Sequence, residues 1–150
     1  MKKFLSKYKM PIIVIVLIGL FVLLSVLLKN VDFSGGYSDE VNAWIEATKK
    51  DEYVVTVLGQ TFCPHCIDYK PVMEELKEEY GFNLYWFEIN EMEMKDYNGL
   101  VKTYKLPSYT ESTPYTVITK NGKVITDVQS ALSKESLLEF LTNAGVIKES

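Results

Sequence analysis

At 150 residues the chain is long enough for one ordinary domain, and a composition 47% hydrophobic and 24% charged excludes a disordered, collagen-like or coiled-coil protein. The formal charge of −4 is unevenly spread: five of the sixteen basic residues and no acid fall in residues 1–30, which leaves eleven lysines against all twenty acids in the remainder. An acidic body without one arginine has neither the electrostatic footprint of a nucleic-acid binder nor a bidentate clamp for phosphate.

In chain order, residues 1–9 are a basic flank carrying Lys2, Lys3, Lys7 and Lys9. Residues 10–28 follow without a charge. As a helix this stretch measures roughly 28 Å, close to the hydrocarbon thickness of a bilayer. No small-x-small cleavage signal follows before Lys29, and no cysteine nearby could carry a lipid. The stretch predicts an uncleaved single-pass signal anchor in the cell membrane. The lysine-rich flank is expected on the cytoplasmic side and the rest of the chain on the extracytoplasmic side. Residues 29–37, with Ser34-Gly35-Gly36, read as a linker, and residues 38–150 as the folded domain.

Within the domain, Ser38 caps a helix that opens with Asp39 and Glu40 and places Val41, Trp44 and Ile45 on one face. The β-branched run Tyr53–Leu58 predicts a buried strand. A turn from Gly59 leads to a helix over Cys66–Tyr80 whose apolar stripe is Val72, Leu76 and Tyr80. Glu74, Glu75, Glu78 and Glu79 form its solvated face, and Gly81 stops it. Phe82–Ile89 predicts a second strand, and Met92–Tyr104 a weaker helix into which Met92 and Met94 pack. Trp44, Tyr85, Trp86 and Phe87 fit core positions. Beyond a polar loop between Pro107 and Pro114, Tyr115–Thr119 and Lys123–Val128 form a hairpin through Asn121-Gly122. Ser133 caps a last helix with Leu137, Leu138 and Leu141 on its apolar stripe, ending near Gly145. The order α-β-α-β-α-β-β-α describes an α/β fold, a mixed sheet with helices on both faces.

The chemistry is concentrated at Cys63-Pro64-His65-Cys66. Two thiols three residues apart can close a small redox disulfide, Cys63–Cys66, when the first lies at a helix N-terminus. There the unpaired N–H groups and the dipole favour a thiolate. Cys63, the more exposed, is the expected nucleophile, and Cys66 resolves the mixed disulfide. Pro64 suits the first helical turn, and His65 places a charge or a donor beside the thiolate. A zinc site normally takes four ligands, and two cysteines and one histidine fall short, so no metal and no other cofactor is expected. A purely structural bridge across four residues would constrain little chain.

With Pro71 eight residues after Cys63, and Thr113-Pro114 ahead of a strand and the turn Lys120-Asn121-Gly122-Lys123, residues 38–148 resemble the thioredoxin superfamily. The resemblance implies a thioredoxin fold. It also implies a cis bond at Thr113-Pro114 and a role for Thr113 and Pro114 in binding substrate peptide beside the CxxC. The sequence departs from the family at Phe62-Cys63-Pro64-His65-Cys66, where a WCGPC is usual, and the Pro-His pair is similar to that of disulfide-oxidising relatives in bacterial envelopes. It departs again at Val57, where thioredoxins carry a buried acid that assists the resolving thiol. Asp68, Lys70 and Glu88 are the ionisable residues nearby, and each reads as a solvated face. The anchored layout also resembles thioredoxin-like accessory proteins of bacteriocin export in Gram-positive bacteria. These likenesses imply a thiol–disulfide oxidoreductase, more oxidant or isomerase than reductant. Its expected partners are exported cysteine-containing proteins or peptides and a redox partner that the sequence does not identify. The alternative is an accessory module that binds an export partner and leaves its CxxC idle.

Overall fold

The computed structural model describes residues 16–21, 23 and 36–148, and the chain divides into two units, residues 1–36 and 37–150. In the first unit, residues 16–21 and 23 are helical. The basic flank, most of the expected span 10–28 and most of the linker lie outside the described residues. Among the described residues no helix is long and apolar enough to cross a membrane.

The second unit runs α1 (Asp39–Thr48), β1 (Val54–Gly59), α2 (Pro64–Tyr80), β2 (Asn83–Glu88), α3 (Met94–Tyr104), β3 (Tyr115–Lys120), β4 (Lys123–Val128) and α4 (Lys134–Asn143). The sheet order is β2-β1-β3-β4. β1 pairs parallel with β2 and antiparallel with β3, and β3 pairs antiparallel with β4, so the sheet is mixed. The helical crossover through α2 is what a parallel neighbour requires, whereas Asn121 and Gly122, both at positive φ (52° and 69°), make the tight hairpin turn between β3 and β4.

Every residue of β1 is buried, because helices cover both faces of the strand. Val55 and Val57 pack with Tyr69, Met73 and Leu76 of α2 and Leu137 and Leu141 of α4. Val54 and Leu58 pack on the other face with Val41 and Trp44 of α1 and Leu100 of α3. Thr56 is the polar exception on β1, and its hydroxyl accepts the Trp44 indole N–H at 2.8 Å. Gly59, the last residue of the strand, has no room for a side chain, because a Cβ there would fall 2.8 Å from the Trp86 ring.

Helix α1 starts where the sequence indicates, with Ser38 Oγ accepting the Val41 N–H at 3.4 Å. Three expectations are corrected. Helix α2 begins at Pro64, and its buried stripe is Cys66, Tyr69, Met73 and Leu76. Val72 packs only at the edge of that core and Tyr80 is exposed, since the stripe through Tyr69, Met73 and Leu76 is the one that enters it. Met94 opens α3 with 71% of its surface exposed, so it does not pack as expected, while Met92 does pack against the α1–α3 side of the core. Glu88, read as a solvated residue, is half-buried at the end of β2.

Candidate active site

Cys63 occupies the N-cap of α2, with Pro64 at the first helical position, where a missing N–H costs nothing. The turn before it is closed by Cys63 N–H donating to the Gln60 carbonyl at 3.2 Å. It is also tied to the end of β2, where Asn90 accepts the Thr61 N–H at 3.0 Å and donates to the Thr61 hydroxyl at 2.8 Å. The Cys63 carbonyl accepts the N–H groups of Cys66 and Ile67, both at 3.0 Å, so the cysteines lie one helical turn apart. Cys63 is half-buried and Cys66 fully buried, and both are free thiols. Phe62, Pro64 and His65 are exposed around them.

The opposite wall is the loop between α3 and β3. Its Thr113–Pro114 peptide bond is cis, Pro114 is buried, and the Cys63 thiol donates to the Thr113 carbonyl at 3.5 Å. The structure therefore brings together Cys63, Cys66, Thr113 and Pro114. The loop is held from β4 and the residue just beyond it. Asp127 accepts the Ser108 N–H at 3.0 Å and the Tyr115 hydroxyl at 2.9 Å. Gln129 Oε1 accepts the Thr110 N–H at 3.2 Å and the Thr110 hydroxyl at 3.1 Å, and its Nε2 donates to the Ser112 carbonyl at 3.0 Å. Asp127 and Gln129 carry no mark of site residues in the sequence, because no local pattern reports contacts this distant along the chain.

The two thiols are driven apart in acidity. Burial pushes Cys63 up, but hydrogen bonds from the Cys66 thiol and backbone, from the Thr113 side chain and from the His65 backbone outweigh it and leave it below the usual thiol value. Cys66 is held above that value by burial and by its bond to Cys63. Cys63 is thus the first of the two to become the nucleophilic thiolate, and Cys66 keeps its proton to higher pH. The backbone of His65 is among the groups that lower Cys63.

Beneath the pair, Cys66 lines an open cleft of about 380 Å³ together with Gln60, Lys70, Pro71 and Glu88. Lys70 Nζ and the Trp86 indole N–H both donate to Glu88 Oε1 at 2.9 Å. Asp68 is exposed and Val57 is fully buried in the core. Among the described residues no three His, Cys, Asp or Glu side chains gather in a way that could hold a metal ion.

The family model for a thioredoxin-like domain matches residues 41–145. No curated protein matches the chain. Solved structures similar to it include reduced Schistosoma mansoni thioredoxin pre-protein, at 20% identity and a TM-score of 0.54, covering 71% of this chain and 90% of that one. Fasciola hepatica thioredoxin matches at 19% identity and a TM-score of 0.54, over 69% of this chain and 90% of that one. Oxidised mitochondrial thioredoxin 3 of Saccharomyces cerevisiae matches at 16% identity and a TM-score of 0.53, over 69% and 89%. At these identities the likeness is one of fold.

Proposed function

This chain belongs to the family of thioredoxin-like domains, and from that premise we propose that it is a membrane-tethered thiol–disulfide oxidoreductase that oxidises or isomerises cysteines of exported proteins outside the cytoplasmic membrane. The observation that carries the reading is the pairing of a half-buried Cys63 at a helix N-cap, its thiolate favoured, with a buried Cys66 one turn away. The tether rests on the uncharged stretch 10–28 and its basic flank. The substrate class rests on that location and on the likeness of the layout to accessory proteins of bacteriocin export.

In the oxidising direction a substrate thiolate attacks Cys63 Sγ of the Cys63–Cys66 disulfide. The S–S bond breaks, Cys66 leaves as a thiolate and takes up a proton. A second substrate thiolate then attacks the substrate sulfur of the mixed disulfide, which forms the substrate disulfide and releases Cys63 as a thiolate. Two electrons have passed from substrate to the cysteine pair, and a redox partner must remove them. Stabilising the Cys63 thiolate stabilises the reduced pair, which raises the reduction potential and favours this direction.

The test is equilibration of the full-length chain in detergent with glutathione buffers, together with oxidation of a dithiol peptide. The expected potential lies above the roughly −270 mV of thioredoxin, and Cys63→Ser abolishes peptide oxidation. A potential at the thioredoxin value would make the protein a reductant. A chain with accessible thiols and no exchange activity would leave it a binding module.

A further inference from the structure

Cys66 faces a proton problem that its own surroundings pose. It is 2% exposed and must be a thiolate whenever it attacks or leaves Cys63. It shares the buried stripe of α2 with Tyr69, Met73 and Leu76, which belong to the apolar core. The polar groups that share the cleft with it are Gln60, Thr61, Lys70, Glu74 and Glu88. Gln60 and Thr61 do not titrate, Lys70 is a cation, and Glu74 is exposed on the outer face of α2.

Glu88 is different. Its Oε1 is pinned twice, by Lys70 Nζ and Trp86 Nε1. Its Oε2 is buried and has no hydrogen-bond partner among the described residues. A carboxylate oxygen left unpaired away from solvent is costly, so a proton or a water-borne donor arriving there is favoured. The two anchors fix the headgroup, and Lys70 Nζ also lies over the Trp86 ring, 5.2 Å from its centroid. The cleft is large enough to hold water between Glu88 and Cys66, and Gln60, Thr61 and Lys70 on its wall offer polar partners for it.

We propose that Glu88 is the proton carrier of the resolving cysteine, working through the cleft that both residues line. This rests on the oxidoreductase reading. When Cys66 resolves a mixed disulfide, its S–H proton passes through a water to Glu88 Oε2. The Cys66 thiolate attacks Cys63 Sγ, the Cys63–Cys66 bond forms, and the bound thiol leaves as a thiolate. In the reverse step a substrate thiolate opens the Cys63–Cys66 bond, and the Glu88 carboxylic acid returns the proton to Cys66. The charge on Lys70 balances Glu88 while it waits as a carboxylate.

The experiment loads Cys63 of the full-length chain with an aryl disulfide and follows release of the arylthiolate by Cys66 in a single turnover across pH. Glu88→Gln retains an oxygen for the Trp86 indole and removes the base. The variant is expected to label on Cys63 at the unaltered rate and then to release arylthiolate on the order of 100-fold more slowly near neutral pH. Its rate should climb with pH until Cys66 ionises unaided and meets that of the parent chain. Release at the parental rate near neutral pH, or slowing by one constant factor at every pH, would overturn the proposal, since the first dispenses with a base and the second reports a distorted fold. If the parent chain itself takes the label and never releases it, the oxidoreductase reading fails instead.

Discussion

The wall that carries Cys63 and Cys66 and the wall that carries Thr113 meet where Thr113 bonds to Cys63, yet different forces hold them. The first is the start of a 17-residue helix whose buried side chains enter the main core. The second is a loop fixed from β4 and its exit by hydrogen bonds to Asp127 and Gln129, with two non-glycine residues at positive φ, Lys105 and Glu111. Apolar burial is non-directional and sums to large energies. A few half-exposed hydrogen bonds contribute little to stability but set position. The helix wall should therefore govern whether the domain folds, and the loop wall how reactive Cys63 is.

The largest expected effect lies on the helix wall. Met73→Ala removes a side chain with 0% exposure and should cost about 2–5 kcal/mol in a urea titration, while alkylation of Cys63 in the remaining folded protein keeps its rate. A stability loss well under that range would mean that the helix is not anchored by this core. Alkaline pH comes next and acts on both walls. Burial pushes the Tyr69 phenol to about 12, against its bond to Thr116. Burial first, then hydrogen bonds and nearby charge, raises Tyr109 and Tyr115 as well. An unfolded phenol ionises near 10. The unfolded state is therefore the first to gain charge, so stability is full below that pH and falls as pH rises towards the folded values. Urea midpoints across the alkaline range should trace this decline, and Tyr115→Phe should flatten it.

A smaller change in stability and a larger one in chemistry are expected at Gln129→Ala. Losing its hold on Thr110 and Ser112 should cost about 1 kcal/mol. The freed loop no longer keeps Thr113 against Cys63, so the thiolate loses support and iodoacetamide labelling near neutral pH slows. An unchanged labelling rate would show that the loop is positioned from elsewhere. The smallest effect is expected at His65→Ala, because this residue supports the thiolate through its backbone. Titration of thiolate absorbance should move little, and a pronounced upward shift in the Cys63 titration would restore the imidazole to the site.

The two walls also differ in how far they can be read from sequence. Ser38, Pro64, Gly81 and Ser133 announce helix ends by local chemistry, and α1, α2 and α4 stop or start at these residues or next to them. The hairpin at Asn121-Gly122 is equally local. The CxxC and its place after a buried strand are contained in one short segment. The stripe of α2 was harder, because the apolar residues Val72, Met73 and Leu76 fit more than one face, and the sheet decides between them. The loop anchors were out of reach. Gln129 lies 17 and 19 residues from the groups it binds, and only the β3–β4 pairing brings it near them. Glu88 is hard to place from sequence for a related reason, since the bonds it accepts from Lys70 and Trp86 form only once helix and strand are packed together.

Gly59 ties the later history of two strands together. With a Cβ placed 2.8 Å from the Trp86 ring, position 59 cannot accept a side chain while Trp86 stays where it is. Trp86 in turn cannot shift without giving up its hold on Glu88. Sequence drift at the end of β1 is thus coupled to drift on β2. A homologue with alanine at position 59 should carry a smaller residue at 86 and a different arrangement of charge beneath its cysteines.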